Sequence, residues 1–459
     1  MRSDTPISTD ALDGKVLTTF ARYLIPSLLG LVAMTSASLV DGIFIGNYVG
    51  VTALAAVNLI IPILSLLFGV GMMVSIGGSV RCGKYLGEKD GDAASAIFSK
   101  TLMFMAAYGV AVIALGLAFE ELFFAGLGAS QEIFPVMSEY YRVVIPFALP
   151  QLIVIQMYFF VRLDSFPNLA AVALALGAAG NIILDYFFIA VYGWGLAGAA
   201  WATGLSGTLS LLVFLIYFFR PERKLKFNFR QDNWRELLQA AYNGISEFIN
   251  EVSGAFIAFL FNLMLIQRAG VEGVAAITVV NYILMTGFMV FFAISDSSQV
   301  MISQNFGARK EKRIWEFLGA ACAMIATLSV CVIIILLTAS ESLIYLFIDD
   351  QDNTATVALA LGFIHYVWPL FCFVGFNMLI SGYLTAVHLP FQSALVALCR
   401  SLILPTVFLT LFYMLLSDFR FVGAIAVAEA ITFILAAGIF LRFTPGKVIT
   451  ANQNIDLQR

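Results

Sequence analysis

Apolar runs long enough to cross a lipid bilayer recur from one end of this chain to the other, and a chain built that way folds as packed helices or as a closed barrel. Windows of about 20 residues place spans at 21–45, 52–80, 96–118, 137–159, 168–191, 196–219, 237–266, 274–304, 315–338, 356–382, 391–415 and 421–442. Runs of this length read as helices, because a barrel strand needs only about 10 residues. The 459 residues are 61% hydrophobic and 12% charged, with a mean hydropathy of +0.94, which excludes a soluble globular domain. The expected fold is all-α and integral to the membrane, with twelve transmembrane helices.

The placement of charge gives an orientation. With the N-terminus cytoplasmic, the connections after spans two, four, six, eight and ten carry Arg81, Lys84, Lys89, Arg162, Arg220, Arg223, Lys224, Lys226, Arg230, Arg309, Lys310, Lys312 and Arg313. The opposite connections carry Arg268 and Arg420 beside acids such as Glu120, Glu121, Asp349, Asp350 and Asp352. Positive charge stays inside, so both termini are expected in the cytoplasm of a cell whose plasma (inner) membrane holds the chain. The net charge of -4 gives no support to nucleic acid as a partner. The polar N-terminus lacks the basic-then-apolar pattern of a cleaved signal, so the first span is expected to insert directly. Five cysteines without a CxxC pair read as small buried hydrophobes and not as a disulfide or zinc framework.

Sliding the chain on itself by about 220 residues exposes a repeat. YVGVTALAAVNLI from Tyr48 lines up with RAGVEGVAAITVV from Arg268, and KYLGEKDGDA from Lys84 with QNFGARKEKR from Gln304. Pro146 meets Pro369, Pro167 meets Pro390 and Gly198 meets Gly423. An even number of crossings separates the copies, so two six-helix bundles of like orientation are expected, related by a pseudo-two-fold axis along the membrane normal. The boundaries follow: an N-terminal lobe at 1–219, a charged cytoplasmic linker at 220–235 lying on the membrane surface, and a C-terminal lobe with its tail at 236–459. Nothing in the sequence requires more than one chain, and a monomer in contact with membrane lipid is expected.

Charged groups inside spans are costly and therefore point to function. Asp41 lies about one turn from the outer end of span one, and Asp185 under two turns from that of span five. Asn181 precedes Asp185 by four residues and projects from the same face. Thr203 in span six and Tyr140 entering span four fall at similar depth. Two carboxylates, an amide, a hydroxyl and a phenol suit a proton or a sodium ion, the latter at Asp41, Asn181, Asp185 and Thr203. Taken singly, the amide, hydroxyl and phenol serve equally well as hydrogen bonds between helices. The repeat separates scaffold from site: opposite Asp41, Asp185, Asn181 and Thr203 stand Phe261, Phe408, Leu404 and Ala428. This polar constellation belongs to the first half alone.

The second half has polar residues of its own. Glu247, Asn250 and Glu251 lie in span seven with Asn262 further along, Asp296 in span eight, His365 in span ten, Arg400 in span eleven and Glu429 in span twelve. Glu247, Glu251 and Asp296 sit toward the cytoplasmic side, where lining a cavity and solvating a helix end are both open readings. His365 reads as a structural hydrogen-bonding residue or a secondary site. Arg400 needs a partner that the sequence does not name. Pro26 shares a helix with Asp41, and a bend there would tie helix shape to the charge on Asp41. Abundant Phe and Met, 42 and 15 residues, suit lipid contact, core and an adaptable cavity for bulky compounds.

The opening IPSLLGLVAMTSASLVDGIFIGNYVGVTALAAVNLIIPI, the loop GKYLGEKDGDAA and its repeat QNFGARKEKR resemble the multidrug and toxic compound extrusion (MATE) transporters over nearly the whole chain. Asp41 with the Asn181 and Asp185 spacing is similar to the DinF-like branch. That resemblance implies a cation site at Asp41, Asn181, Asp185, Thr203 and Tyr140, and a helix that bends at Pro26. It implies export of cationic or amphipathic drugs and dyes against protons or sodium ions, with no cofactor and no enzymatic activity, as the halves rock between outward-open and inward-open states. Another branch places an acid midway along span seven and an Asp in span ten, but here span ten offers His365 and Tyr366, so a site of that type is not expected. A flippase for lipid-linked sugars shares the plan, yet such a protein calls for several basic residues lining its cavity. A membrane-embedded enzyme is the third reading, and no intramembrane HxxxH, aspartate-rich prenyl-phosphate motif or serine–histidine pair supports it.

Overall fold

The computed structural model of the chain describes residues 10–130, 132–228, 233–345 and 354–458. Among the described residues, twelve helices are long and apolar enough to span a membrane. They are Val16–Val49, Thr52–Gly87, Gly91–Ala118, Phe134–Leu163, Pro167–Val191 and Gly195–Phe219, then Ile245–Gly270, Glu272–Gly307, Glu311–Thr338, Thr354–Ala386, Pro390–Leu415 and Phe419–Arg442. Each lies over its expected window, and several outrun it. Span two, for example, carries on through Arg81 and Lys84 to Gly87, because a helix does not stop where its apolar stretch does. Large apolar side chains on the spans, such as Phe259, Ile434 and Met414, are exposed, as a lipid-facing surface requires. Arg230 and the acidic loop with Asp349, Asp350 and Asp352 lie outside the described residues.

The main departure from expectation is at span seven. The residues from 237 do not open that span; Arg235–Asn243 forms a separate helix that ends at Gly244, and the span begins at Ile245. Two glycines explain the break. A Cβ on Gly77 would stand 1.8 Å from the Ala240 carbonyl oxygen, and one on Gly244 2.0 Å from that of Met73. The linker helix therefore lies backbone to backbone on span two. Its Glu236 accepts from Arg81 Nε at 3.3 Å, from Lys100 Nζ at 3.3 Å and from the Tyr85 hydroxyl. Burial pushes the Glu236 carboxyl up, but the Tyr85 hydroxyl and the two cations outweigh it and hold the group below the usual carboxylate range. The start of the linker is tied as well: Asp164 accepts from the Tyr217 hydroxyl at 2.6 Å and from the Lys224 N–H at 2.8 Å. The chain divides into two compact units at Met1–Gly244 and Ile245–Arg459, so the residues from 236 to 244 belong to the first unit and not, as expected, to the second.

The backbone repeats even where it is unusual. Lys89 and Arg309 both have positive φ, 63° and 56°, as do Ser165 and His388 at 74° and 59°. Each ends a long helix in the left-handed turn that glycine normally supplies. Pro146 and Pro369 each sit in a short 3-10 turn, Ile145–Phe147 and Trp368–Cys372, that interrupts spans four and ten. Pro167 and Pro390 open spans five and eleven, where a missing N–H costs nothing.

Within the first unit span five packs on spans one and six, and span six also meets span four. Small residues allow that closeness. A Cβ on Gly177 would stand 1.9 Å from Ser210 Oγ, and Leu174 already lies against Gly30.

Candidate functional site

Spans one and five end alike. The α-helix of span one runs Val16–Phe44, uninterrupted across the buried Pro26, then widens into a π-turn at Ile45–Val49. Span five runs as an α-helix to Asp185 and widens at Tyr186–Val191. In both, an N–H reaches back five residues, Gly50 to Ile45 and Tyr192 to Phe187. Such turns shift the helix register locally and recur at functional sites. Here each begins within one turn of a carboxylate.

Asp41 and Asp185 meet across the contact between spans one and five, their side chains within hydrogen-bonding reach of each other. Asp185 is fully buried, and both its carboxyl oxygens, together with Oδ1 of Asp41, are buried without a hydrogen-bond partner among the described residues. Two facing carboxylates that lack donors cannot both stay charged in a low-dielectric interior unless a counter-ion joins them. A shared proton or a bound cation completes the arrangement.

Tyr140 is 5% exposed and lies close enough to Thr203 and to both carboxylates to interact with them. Asn181 is buried one turn before Asp185 on the same face. The structure thus brings Asp41, Asp185, Tyr140 and Thr203 together, with Asn181 beside them. An apolar cluster including Ile45, Ile60, Tyr141, Ile189 and Ala200 adjoins Tyr140 and keeps that side dry.

In the second unit Arg400 has a partner: its Nε donates to Glu429 Oε1 at 3.0 Å. Asn377, fully buried in span ten, donates Nδ2 to Glu429 Oε2 at 2.7 Å and to the Glu429 carbonyl at 2.9 Å. Glu247 is buried beside Asn250 and Gln299 and interacts electrostatically with Asp296 and Arg400. Glu251 is exposed, and His365 packs edge-on to Tyr366. Sequence reasoning missed Asn377 and Gln299. The available signal was the repeat, which sets Asn377 opposite the apolar Val154.

Two repeated six-span units, each with buried ionisable groups, define an integral membrane transporter. A family model, MatE, matches residues 26–187 and 248–411, well over half of the chain. The chain belongs to the MatE family, whose members are transporters and not enzymes. It is 23% identical to the multidrug export protein MepA of Staphylococcus aureus over 393 residues, 84% of this chain and 85% of that one. Against MepA of Staphylococcus haemolyticus it is 22% identical over 432 residues, 92% and 93% of the two chains. The fold matches that of a MATE protein solved in complex with MaL6, with a TM-score of 0.89 at 21% identity over 98% of this chain and 100% of that one. A transporter of the MOP superfamily from Pyrococcus furiosus, described as having a binding pocket of reversed polarity, superimposes with a TM-score of 0.88 at 22% identity over 98% and 99%.

Proposed function

We propose that this protein is a multidrug exporter of the DinF-like branch that couples efflux of cationic or amphipathic compounds to entry of protons or sodium ions. The observation that carries this reading is the buried pair Asp41 and Asp185, three of whose oxygens have no donor among the described residues. In the outward-open state the pair takes up the cation, with Tyr140, Thr203 and Asn181 as further oxygen donors, and drug leaves. The cation-loaded protein turns inward, where the cytoplasm takes the cation and drug binds. Cation and drug must each weaken the binding of the other for this exchange to be coupled. The widening of span one just beyond Asp41, and Pro26 four turns before it, are the places where a change of charge would reshape the helix. The chain works as a monomer in the plasma membrane with both termini in the cytoplasm. The relatives named for multidrug export support the substrate class.

Ethidium efflux from proteoliposomes tests the proposal, first with a pH gradient alone and then with a sodium gradient alone. One of the two gradients drives efflux by the wild type, and Asp41→Asn abolishes it in a protein that still folds. Wild-type efflux by the variant would reject the role of the pair.

A further inference from the structure

The linker helix Arg235–Asn243 has two apolar faces, and only one of them is packed. Leu237 and Ala240 are buried with Glu236 on spans two and three. Trp234, Leu238 and Tyr242, spaced by four and so aligned along one side of the helix, are 48%, 70% and 51% exposed. Arg235 and Gln239, also exposed and four apart, flank this stripe. A row of tryptophan, leucine and tyrosine is a liability on a surface that faces water. Beside a basic residue it is the composition of a helix lying in a membrane interface.

The depth of the linker agrees. The Lys226 N–H donates to Ser95 Oγ at 3.1 Å, the Asn228 N–H to Ser99 Oγ at 2.9 Å and Lys100 Nζ to the Asn233 carbonyl at 3.0 Å, so the linker runs along the first turns of span three. The helix then crosses span two at Gly77. No charged residue precedes Gly77 in span two, and the first that follows is Arg81, four residues or about 6 Å further on. The linker helix therefore lies level with the end of an apolar stretch, where acyl chains give way to headgroups. Its exposed charge is one-sided. Arg220, Lys226 and Arg235 are exposed with no ion-pair partner among the described residues, while Glu222 is the one exposed acid among the described residues of the linker and Glu236 is buried and neutralised. Depth and charge together select an anionic lipid surface over a soluble partner.

We propose that the linker helix is an interfacial anchor of the first unit, with Trp234, Leu238 and Tyr242 entering the headgroup–acyl boundary of the adjoining leaflet and Arg220, Lys226 and Arg235 recruiting anionic phospholipid around it. The face opposite this stripe stays clamped to span two through Glu236 and the Gly77 contact, so one short helix joins the protein to the lipid surface.

Trp234 is its own probe. The full chain is placed, one copy to a disc, in lipid nanodiscs of equal phosphatidylcholine and phosphatidylglycerol, and the difference in fluorescence between the wild type and Trp234→Phe isolates the signal of Trp234. Bromine on the acyl chains near the headgroup quenches that signal, and aqueous iodide does not. Each basic residue near an anionic surface enriches such lipid about fivefold, so bromine carried by phosphatidylglycerol quenches Trp234 several-fold more than bromine carried by phosphatidylcholine. The variant Arg220→Gln/Lys226→Gln/Arg235→Gln, measured against its own Trp234→Phe partner, makes the two lipids equal while quenching by bromine persists. Quenching of Trp234 by iodide and not by brominated lipid overturns the proposal, since the stripe then faces water, or in an intact membrane a soluble protein or a second copy. Equal quenching by the two lipids in the wild type overturns it as well. The discs hold no gradient and no drug and present the same lipids on both sides, so neither result depends on the export reading or on which face is cytoplasmic.

Discussion

Each ionisable side chain buried in this protein poses the question of what neutralises it, and the answers differ. Glu236 is answered fully by Arg81, Lys100 and Tyr85, Glu429 by Arg400 and Asn377, while three oxygens of the Asp41 and Asp185 pair have no donor among the described residues. The answered groups are structural, and removing one partner leaves a buried charge exposed to the full cost of desolvation. Arg400→Ala should therefore destabilise the protein by about 3–5 kcal/mol, read as a lower Tm in detergent, and the double variant Arg400→Gln/Glu429→Gln should be markedly milder. Glu236 adds a pH dependence. Its carboxyl is held below the usual range in the folded state, so its contribution is complete above the unfolded carboxylate range and is lost as the pH falls through the lowered folded value. Proteolysis of the linker should stay flat on acidification down to the unfolded carboxylate range and then rise as the pH falls towards the lowered folded value; Glu236→Gln should show the faster cleavage already at neutral pH. At this scale the sequence was informative about cost and uninformative about partners. Asp41, Asp185 and Arg400 stood out because charge in an apolar run is expensive, but the pairing of Arg400 with Glu429 joins two helices whose contact no local pattern encodes.

Elements were legible to the extent that their cause is local. Hydropathy located all twelve spans, and the repeated prolines marked the openings of spans five and eleven and the 3-10 turns inside spans four and ten. It missed the break at Gly244, because no loop separates the linker helix from span seven and what divides them is a glycine needed for close packing on span two. It also missed the π-turns after Asp41 and Asp185 and around Arg400, whose shifted hydrogen-bond register depends on helix packing. The glycine contact gives a direct test. In Gly77→Ala the new methyl would meet backbone at Ala240, which cannot swing aside, so the linker helix should lift and trypsin should cut the linker faster. Gly254→Ala in span seven, where a Cβ meets nothing within 4 Å, should leave the cleavage rate unchanged.

At the scale of the whole molecule, duplication supplies one scaffold twice and chemistry once per unit. The units share their helix order, their left-handed turns at Lys89 and Arg309 and at Ser165 and His388, and their interrupted spans four and ten. They differ where ionisable groups are buried: a pair of carboxylates in the first, a guanidinium among acids in the second. In the proposed cycle the carboxylate pair exchanges its cation for drug, and such a linkage acts at equilibrium, without a membrane or a gradient. The most direct measurement is therefore cation release on drug binding: ethidium added to detergent-solubilised protein in weakly buffered solution, with proton release followed by a pH dye and sodium displacement by radiolabelled sodium. The wild type should release one of the two cations as ethidium binds, and Asp41→Asn/Asp185→Asn should bind ethidium and release neither. Saturable ethidium binding by the wild type with no release of either cation, or an equal release from the double variant, would contradict the account.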